Sequence, residues 1–90
     1  MINVSGNKAF PEEIEAVVLT YPGVQATRVY GDAHPLMGEI VCAEVVSDTD
    51  IEVEALLKHC RQKLSTYKIP QRVKFVDAIE ETDSGKVKRG

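Results

Sequence analysis

Two stretches of the chain repeat hydrophobic residues with the spacing of an amphipathic helix. The first stretch follows Pro11, which suits the first turn of a helix, and it ends in a turn at Pro22 and Gly23. The second follows Thr49 and Glu52, whose spacing is that of a capping box. The pattern therefore predicts two helices that each bury one face. The two stripes are Ile14, Val17, Val18 and Tyr21, and Val53, Leu56, Leu57, Cys60 and Leu64.

A short β-hairpin is predicted at the beginning of the chain. Residues 2–5 and residues 8–10 are two short runs that flank Gly6 and Asn7. Because glycine supplies a positive φ at little cost, it suits the first position of a tight hairpin turn. The turn is therefore predicted at Gly6 and Asn7.

The remaining strands are predicted from apolar and β-branched runs. Residues 24–30 and 40–46 should form an antiparallel pair, and their connection, residues 33–37, is slightly long for a tight hairpin. Residues 73–76 form a last short strand. The resulting order is hairpin, helix, strand, strand, helix, strand and polar tail. It predicts an α+β two-layer sandwich, with the helices on one side of the sheet or on both.

Composition limits the classes of function. Ninety residues are enough for a single domain, and 43% hydrophobic with 28% charged residues is ordinary for a soluble protein. A net charge of -3 and only 6% aromatic residues argue against a nucleic-acid surface. Cys42 and Cys60 have no metal-type spacing, so free thiols in a reducing cytoplasm are expected. His34 and His59 give no support for a metal site.

The polar tail, residues 81–89, places a lysine directly after a glycine, at Gly85 and Lys86. Such a segment can be a frayed terminus, or it can present the lysine to an anion held elsewhere. A phosphate-binding P-loop is excluded. Glu80 stands where the first glycine of that motif belongs, and Val87 stands where its hydroxyl residue belongs.

Five motifs together resemble the small C-terminal domain of adenylate-forming enzymes, the group of acyl-CoA synthetases, nonribosomal peptide synthetase adenylation domains and luciferases. They occur in the family's order, cover essentially the whole chain and are most similar to the acyl-CoA synthetase branch. The motifs are Val4-Ser5-Gly6-Asn7-Lys8-Ala9-Phe10-Pro11-Glu12-Glu13-Ile14-Glu15, Tyr21-Pro22-Gly23-Val24, Gly38-Glu39 before an apolar strand, Tyr67-Lys68-Ile69-Pro70, and Thr82-x-Ser84-Gly85-Lys86-x-x-Arg89.

The resemblance implies a two-step reaction. Such enzymes use ATP, with Mg²⁺, to convert a fatty or other carboxylic acid to an acyl-adenylate, and they then transfer the acyl group to coenzyme A. The small domain is a lid that takes two orientations over a larger N-terminal domain, which holds most of the ATP site. In the first orientation, Lys86 would offset the charge shared by the carboxylate and the α-phosphate. The turn that supports this lysine would be formed by Thr82, Ser84 and Gly85.

In the second orientation, the resemblance implies that the hairpin faces the active site and lines the channel for the pantetheine arm of coenzyme A. The matching residues are Ser5, Gly6 and Asn7. Gly6 would let the backbone approach the thin arm without a Cβ atom in the way. Lys68 is a further candidate for a contact to coenzyme A, although a lysine there can equally be a solvated surface group.

Some positions depart from the family pattern. Glu80 and Glu81 replace a proline and a basic residue, and Met37 replaces a basic residue before Gly38. The two acids should weaken the field of Lys86 only slightly, because exposed charges are screened. The family's ATP-binding loop and acyl pocket are not within these residues, so the domain is expected to need its N-terminal partner for adenylation.

Two other classes of function are possible alternatives. A stand-alone interaction module could keep this fold without catalysis, although the intact Gly85 and Lys86 argue against that reading. An acyl carrier is also small and acidic, but carriers are helical bundles, and the predicted strand content here is too high.

Overall fold

The computed structural model describes residues 1–79. Its elements confirm the predicted order from the hairpin to the last strand, and the predicted tail lies outside the described residues. They are β1 (Ile2–Val4), β2 (Asn7–Ala9), α1 (Pro11–Leu19), β3 (Val24–His34), β4 (Gly38–Ser47), α2 (Val53–Arg61), a 3₁₀ helix (Thr66–Lys68) and β5 (Arg72–Phe75).

One mixed sheet is organised around β4. β3 pairs antiparallel with β4 from one end to the other, and β1 joins β4 where Val4 pairs with Gly38. β5 runs parallel to β4, from the pair Cys42 and Arg72 to the pair Val45 and Phe75. Parallel neighbours need a crossover connection, and here α2 and the 3₁₀ helix supply it.

A single core lies between the sheet and the two helices. Val41, Ala43 and Val45 are alternate residues of β4, so they point to the same face, and all three are buried. Both helices add side chains to that same cluster, so they form one layer on one side of the sheet. The α+β two-layer sandwich is therefore confirmed. The helical members of the cluster are Ile14, Val18, Leu56 and Cys60.

The connection between β3 and β4 is shorter than the sequence predicted. Pairing continues to His34 and Gly38, which leaves a three-residue loop at positions 35–37. The prediction was wrong because it ended the strand at residue 30, directly before Gly31. Gly31 instead lies within it, where a Cβ atom would come within 3.1 Å of Ile2 Cγ2 and of a Glu39 carboxylate oxygen.

The predicted capping box before α2 was also wrong. The helix begins at Val53, and its N-cap residue is Glu52, which makes no side-chain capping hydrogen bond. The carbonyl of Thr49 accepts a hydrogen bond from the Ser47 hydroxyl at 2.8 Å, so Thr49 belongs to the preceding turn. Local serine and threonine bonds of this kind compete with capping.

The ends of both helices come earlier than their hydrophobic stripes suggest. α1 ends at Leu19 with Thr20 as its C-cap, and α2 ends at Arg61. Tyr21 and Leu64 therefore lie beyond the helices, although both still pack against the core. A hydrophobic stripe reports burial, and burial continues after the helical hydrogen bonds stop.

Candidate functional site

The hairpin turn lies one residue earlier than predicted. Val4 pairs with Asn7, so the two turn residues are Ser5 and Gly6, and Asn7 belongs to β2. Ser5 has φ 52° and Gly6 has φ 86°. Positive φ at both central residues is the requirement of a type I′ turn, whose twist matches that of the flanking strands. The error arose because glycine serves at either central position of such turns.

Hydrogen bonds fix this turn to the rest of the domain. The Gly6 N–H donates to Asn3 Oδ1 at 2.9 Å, and the Ser5 N–H donates to the carbonyl of Met37 at 2.8 Å. The Asn3 N–H also donates to Glu39 Oε1 at 2.7 Å. The hairpin is therefore bonded to the β3–β4 loop and to the beginning of β4.

The β3–β4 loop is itself ordered by a histidine. His34 Nδ1 accepts hydrogen bonds from the backbone N–H groups of Leu36 and Met37, each at 3.2 Å. The Leu36 side chain at the end of this loop is 89% exposed. The hairpin turn, Ser5 and Gly6, and loop residues 35–37 therefore lie together at one edge of the domain.

The predicted hairpin residues are accessible. Ser5, Gly6 and Asn7 are all exposed, and a Cβ atom built on Gly6 would meet nothing within 4 Å. Packing within residues 1–79 therefore does not require glycine at this position. The positive φ of the backbone is what favours it. Among the described residues, the space beside Gly6 is open.

Lys68 does not point freely into solvent. It ends the 3₁₀ helix, and its Nζ lies 3.0 Å from Glu13 Oε1 and 3.1 Å from Glu13 Oε2. This hydrogen-bonded carboxylate raises the pKa of the Lys68 ammonium, since it favours the charged form. The 3₁₀ helix contacts β2, so Lys68 lies on the hairpin side of the domain. Nothing in the sequence indicates that Glu13 pairs with Lys68, because 55 positions separate the two residues.

Four predicted site residues fall outside residues 1–79, and their roles stay predictions. They are Lys86 and the residues of its supporting turn, Thr82, Ser84 and Gly85.

The described residues also bear on metal sites, membrane-spanning helices and thiols. Within residues 1–79, no group of three or more His, Cys, Asp or Glu side chains is placed to hold a metal ion. In the same range, no helix has both the length and the apolar character needed to cross a membrane. Cys42 and Cys60 are buried free thiols, as predicted.

Comparison with known proteins decides the family. The family model described as "AMP-binding enzyme C-terminal domain" matches residues 13–86. The chain belongs to this family. The match includes Glu13 and Lys68, and it extends to Lys86. The resemblance seen in the sequence motifs is therefore confirmed.

Relatives of this C-terminal domain are ligases. The chain is 44% identical over 89 residues to a 3,4-dihydroxybenzoate–[aryl-carrier protein] ligase of Bacillus anthracis, covering 99% of the chain and 21% of that protein. It is 40% identical over 90 residues to a long-chain-fatty-acid–CoA ligase of Escherichia coli O6:H1, covering 99% of the chain and 16% of that protein.

A solved structure has the same fold. A fatty acyl CoA synthetase of Mycobacterium tuberculosis superimposes with a TM-score of 0.87 at 36% identity, covering 96% of the chain and 17% of that protein. The chain spans about a fifth of the length of the curated relatives it matches. These proteins share the C-terminal domain of adenylate-forming ligases, whether the acceptor that their names print is coenzyme A or a carrier protein.

Proposed function

We propose that this AMP-binding C-terminal domain works as the mobile lid of an ATP-dependent acyl-CoA ligase in the cytoplasm. A larger N-terminal domain would bind ATP with Mg²⁺ and the carboxylic acid, which we expect to be a fatty or other acyl acid. The lid would serve adenylation in one orientation and thioester formation in the other. The similarity to fatty acyl-CoA ligases over nearly the whole chain supports this proposal.

The observation that carries the hairpin's role is its exposed and anchored turn. A pantetheine arm is thin and contains amide groups, so a narrow backbone ridge with polar neighbours suits it. Gly6 leaves open space where a side chain would stand, and the exposed Ser5 and Asn7 can offer hydroxyl and carboxamide groups. Hydrogen bonds from the Gly6 N–H to Asn3 Oδ1 and from the Ser5 N–H to the Met37 carbonyl keep this ridge in one position. We therefore assign Ser5, Gly6 and Asn7 to the coenzyme A channel.

Lys86 is assigned to the adenylation step. As the substrate carboxylate approaches the α-phosphate of ATP, negative charge from both groups comes together. An ammonium in a site that excludes water stabilises such charge, and removing a donor of this kind typically costs about 10²–10³ in rate. Thr82, Ser84 and Gly85 would form the turn that presents Lys86.

The test separates the two half-reactions in the full-length ligase that contains this domain. Lys86→Ala should slow acyl-adenylate formation, measured by pyrophosphate release, by about 10²-fold or more. Thioester formation from supplied acyl-adenylate should change much less. Lys88→Ala removes a neighbouring charge of the same tail and serves as the control. Equal losses in both half-reactions after Lys86→Ala would refute the assigned role.

A carrier protein is the second candidate for the acceptor, because the relative that is 44% identical is a ligase acting on an aryl-carrier protein. A carrier bears a phosphopantetheine arm, so the same hairpin channel would accept either thiol. Competition between coenzyme A and a phosphopantetheinylated carrier for one acyl-adenylate would distinguish them. Faster acylation of the carrier would replace coenzyme A in the proposal and leave the role of the hairpin intact.

A further inference from the structure

We propose that Glu13 is a positioning residue for thioester formation and that it acts through Lys68. This inference rests on the proposed function of the hairpin. Neither residue needs to touch coenzyme A in this account. Their ion pair instead holds β2, the strand that carries Asn7, at the angle that the pantetheine channel requires.

The geometry of the pair supports a structural link at the site. Glu13 lies in the first turn of α1, four residues after Ala9 ends β2. Lys68 ends the 3₁₀ helix that contacts β2. The ion pair therefore joins a helix that follows β2 directly to a 3₁₀ helix from much later in the chain that contacts β2.

The contact is also bidentate, and its ammonium is largely shielded from water. Both carboxylate oxygens of Glu13 lie within 3.1 Å of the Lys68 ammonium. The Lys68 side chain is 17% exposed and the Glu13 side chain 46% exposed, so water competes less for this ammonium than for that of an ordinary surface lysine, while the carboxylate stays partly solvated. Ala9 at the end of β2 is fully buried, and Ile69, the residue after Lys68, packs against the core.

The same contacts argue against a direct phosphate contact by Lys68. An ammonium has three donors, and both carboxylate oxygens of Glu13 lie within hydrogen-bond distance of this one. The adjacent carboxylate cancels most of the charge that an incoming phosphate would sense. A phosphate bound there would also face the negative charge of Glu13 itself.

A double-mutant cycle in the full-length ligase tests this inference. The variants are Glu13→Gln, Lys68→Met and the double variant, with Glu12→Gln as the matched control. Glu12 lies in the same helical turn and makes no ion pair with a cation among residues 1–79. Thioester formation from supplied acyl-adenylate is measured with coenzyme A and with pantetheine, which lacks the phosphates of coenzyme A.

Each single variant should slow thioester formation about tenfold with both acceptors, because a small misplacement of a binding element has effects of that order or larger. The double variant should be no slower than either single variant, as expected for two residues that act as one unit. Adenylation, the melting temperature and the Glu12→Gln control should stay at the parent values.

Three outcomes would overturn the inference. A loss in Lys68→Met with coenzyme A but not with pantetheine would show a direct contact to a phosphate. Equal losses in both half-reactions, or a melting temperature lowered in step with activity, would show a role in stability alone. Parent rates in Glu13→Gln would remove any role for the residue.

A hairpin variant separates this inference from the proposed function. Gly6→Val should slow thioester formation if the hairpin lines the channel. If Gly6→Val slows thioester formation and Glu13→Gln does not, only the positioning inference fails. Normal Gly6→Val would overturn the hairpin's role and the inference with it.

Discussion

Substitutions at Gly6 test both the turn and the site, because this glycine is required for its backbone angle and, among residues 1–79, for no packing contact. Its φ is 86°, in the left-handed region, and an added Cβ would meet no atom within 4 Å. The expected cost is therefore backbone strain without a steric clash. For an L residue in this region, that strain is about 1–2 kcal/mol.

The side chain should determine where in that range a variant falls. Gly6→Asn should cost the least, because asparagine adopts left-handed angles more readily than other residues. Gly6→Ala should destabilise the domain by about 1 kcal/mol, and Gly6→Val by about 2 kcal/mol, since a β-branched residue is a strong outlier there. The free energy of unfolding in urea gives all three values.

Ser5→Gly is the matched control in the same turn. Ser5 has φ 52°, so glycine would relieve strain there, but it would also raise the entropy of the unfolded chain by a similar amount. The net change should be within about 0.5 kcal/mol. The reasoning would be refuted if Gly6→Val unfolded at the same urea concentration as the parent, because the turn would then not need a positive φ.

Two further predictions concern buried and edge groups. Glu15→Ala should lower the free energy of unfolding by about 1–3 kcal/mol, because Glu15 Oε2 accepts the Val29 N–H at 2.8 Å and no strand within residues 1–79 pairs with that edge of β3. Hydrogen exchange at the Val29 amide should become faster, and unchanged exchange would contradict this role of Glu15. Burial raises the pKa of the Cys42 and Cys60 thiols, so both should react slowly with a thiol reagent until the domain unfolds. The free energy of unfolding should also fall as the pH rises above the ordinary thiol pKa, because the unfolded chain then loses protons that the folded chain still holds. Urea unfolding measures this, and a free energy of unfolding that does not change between pH 8 and about pH 10 would argue against it.

The sequence by itself determined the order of the elements, the two buried helix faces and the family. Helix and strand periods are local properties, so stripes such as Ile14 and Val18 or Leu56 and Cys60 could be identified without a structure. The motifs that carry the family resemblance are also contiguous runs of residues. They led directly to Ser5, Gly6 and Asn7 and to Lys68 and Lys86 as candidate site residues.

Tertiary structure decided everything that depends on contacts between distant segments. The exact turn residues followed from the pairing of Val4 with Asn7, and the long β3 depends on its ladder with β4. The parallel direction of β5 has no local signal, since the strand reads the same in either orientation. The partner of Lys68 was equally hidden, because an ion pair across 55 positions requires a fold to bring its charges together. That contact changed a candidate ligand into a proposed support for the hairpin.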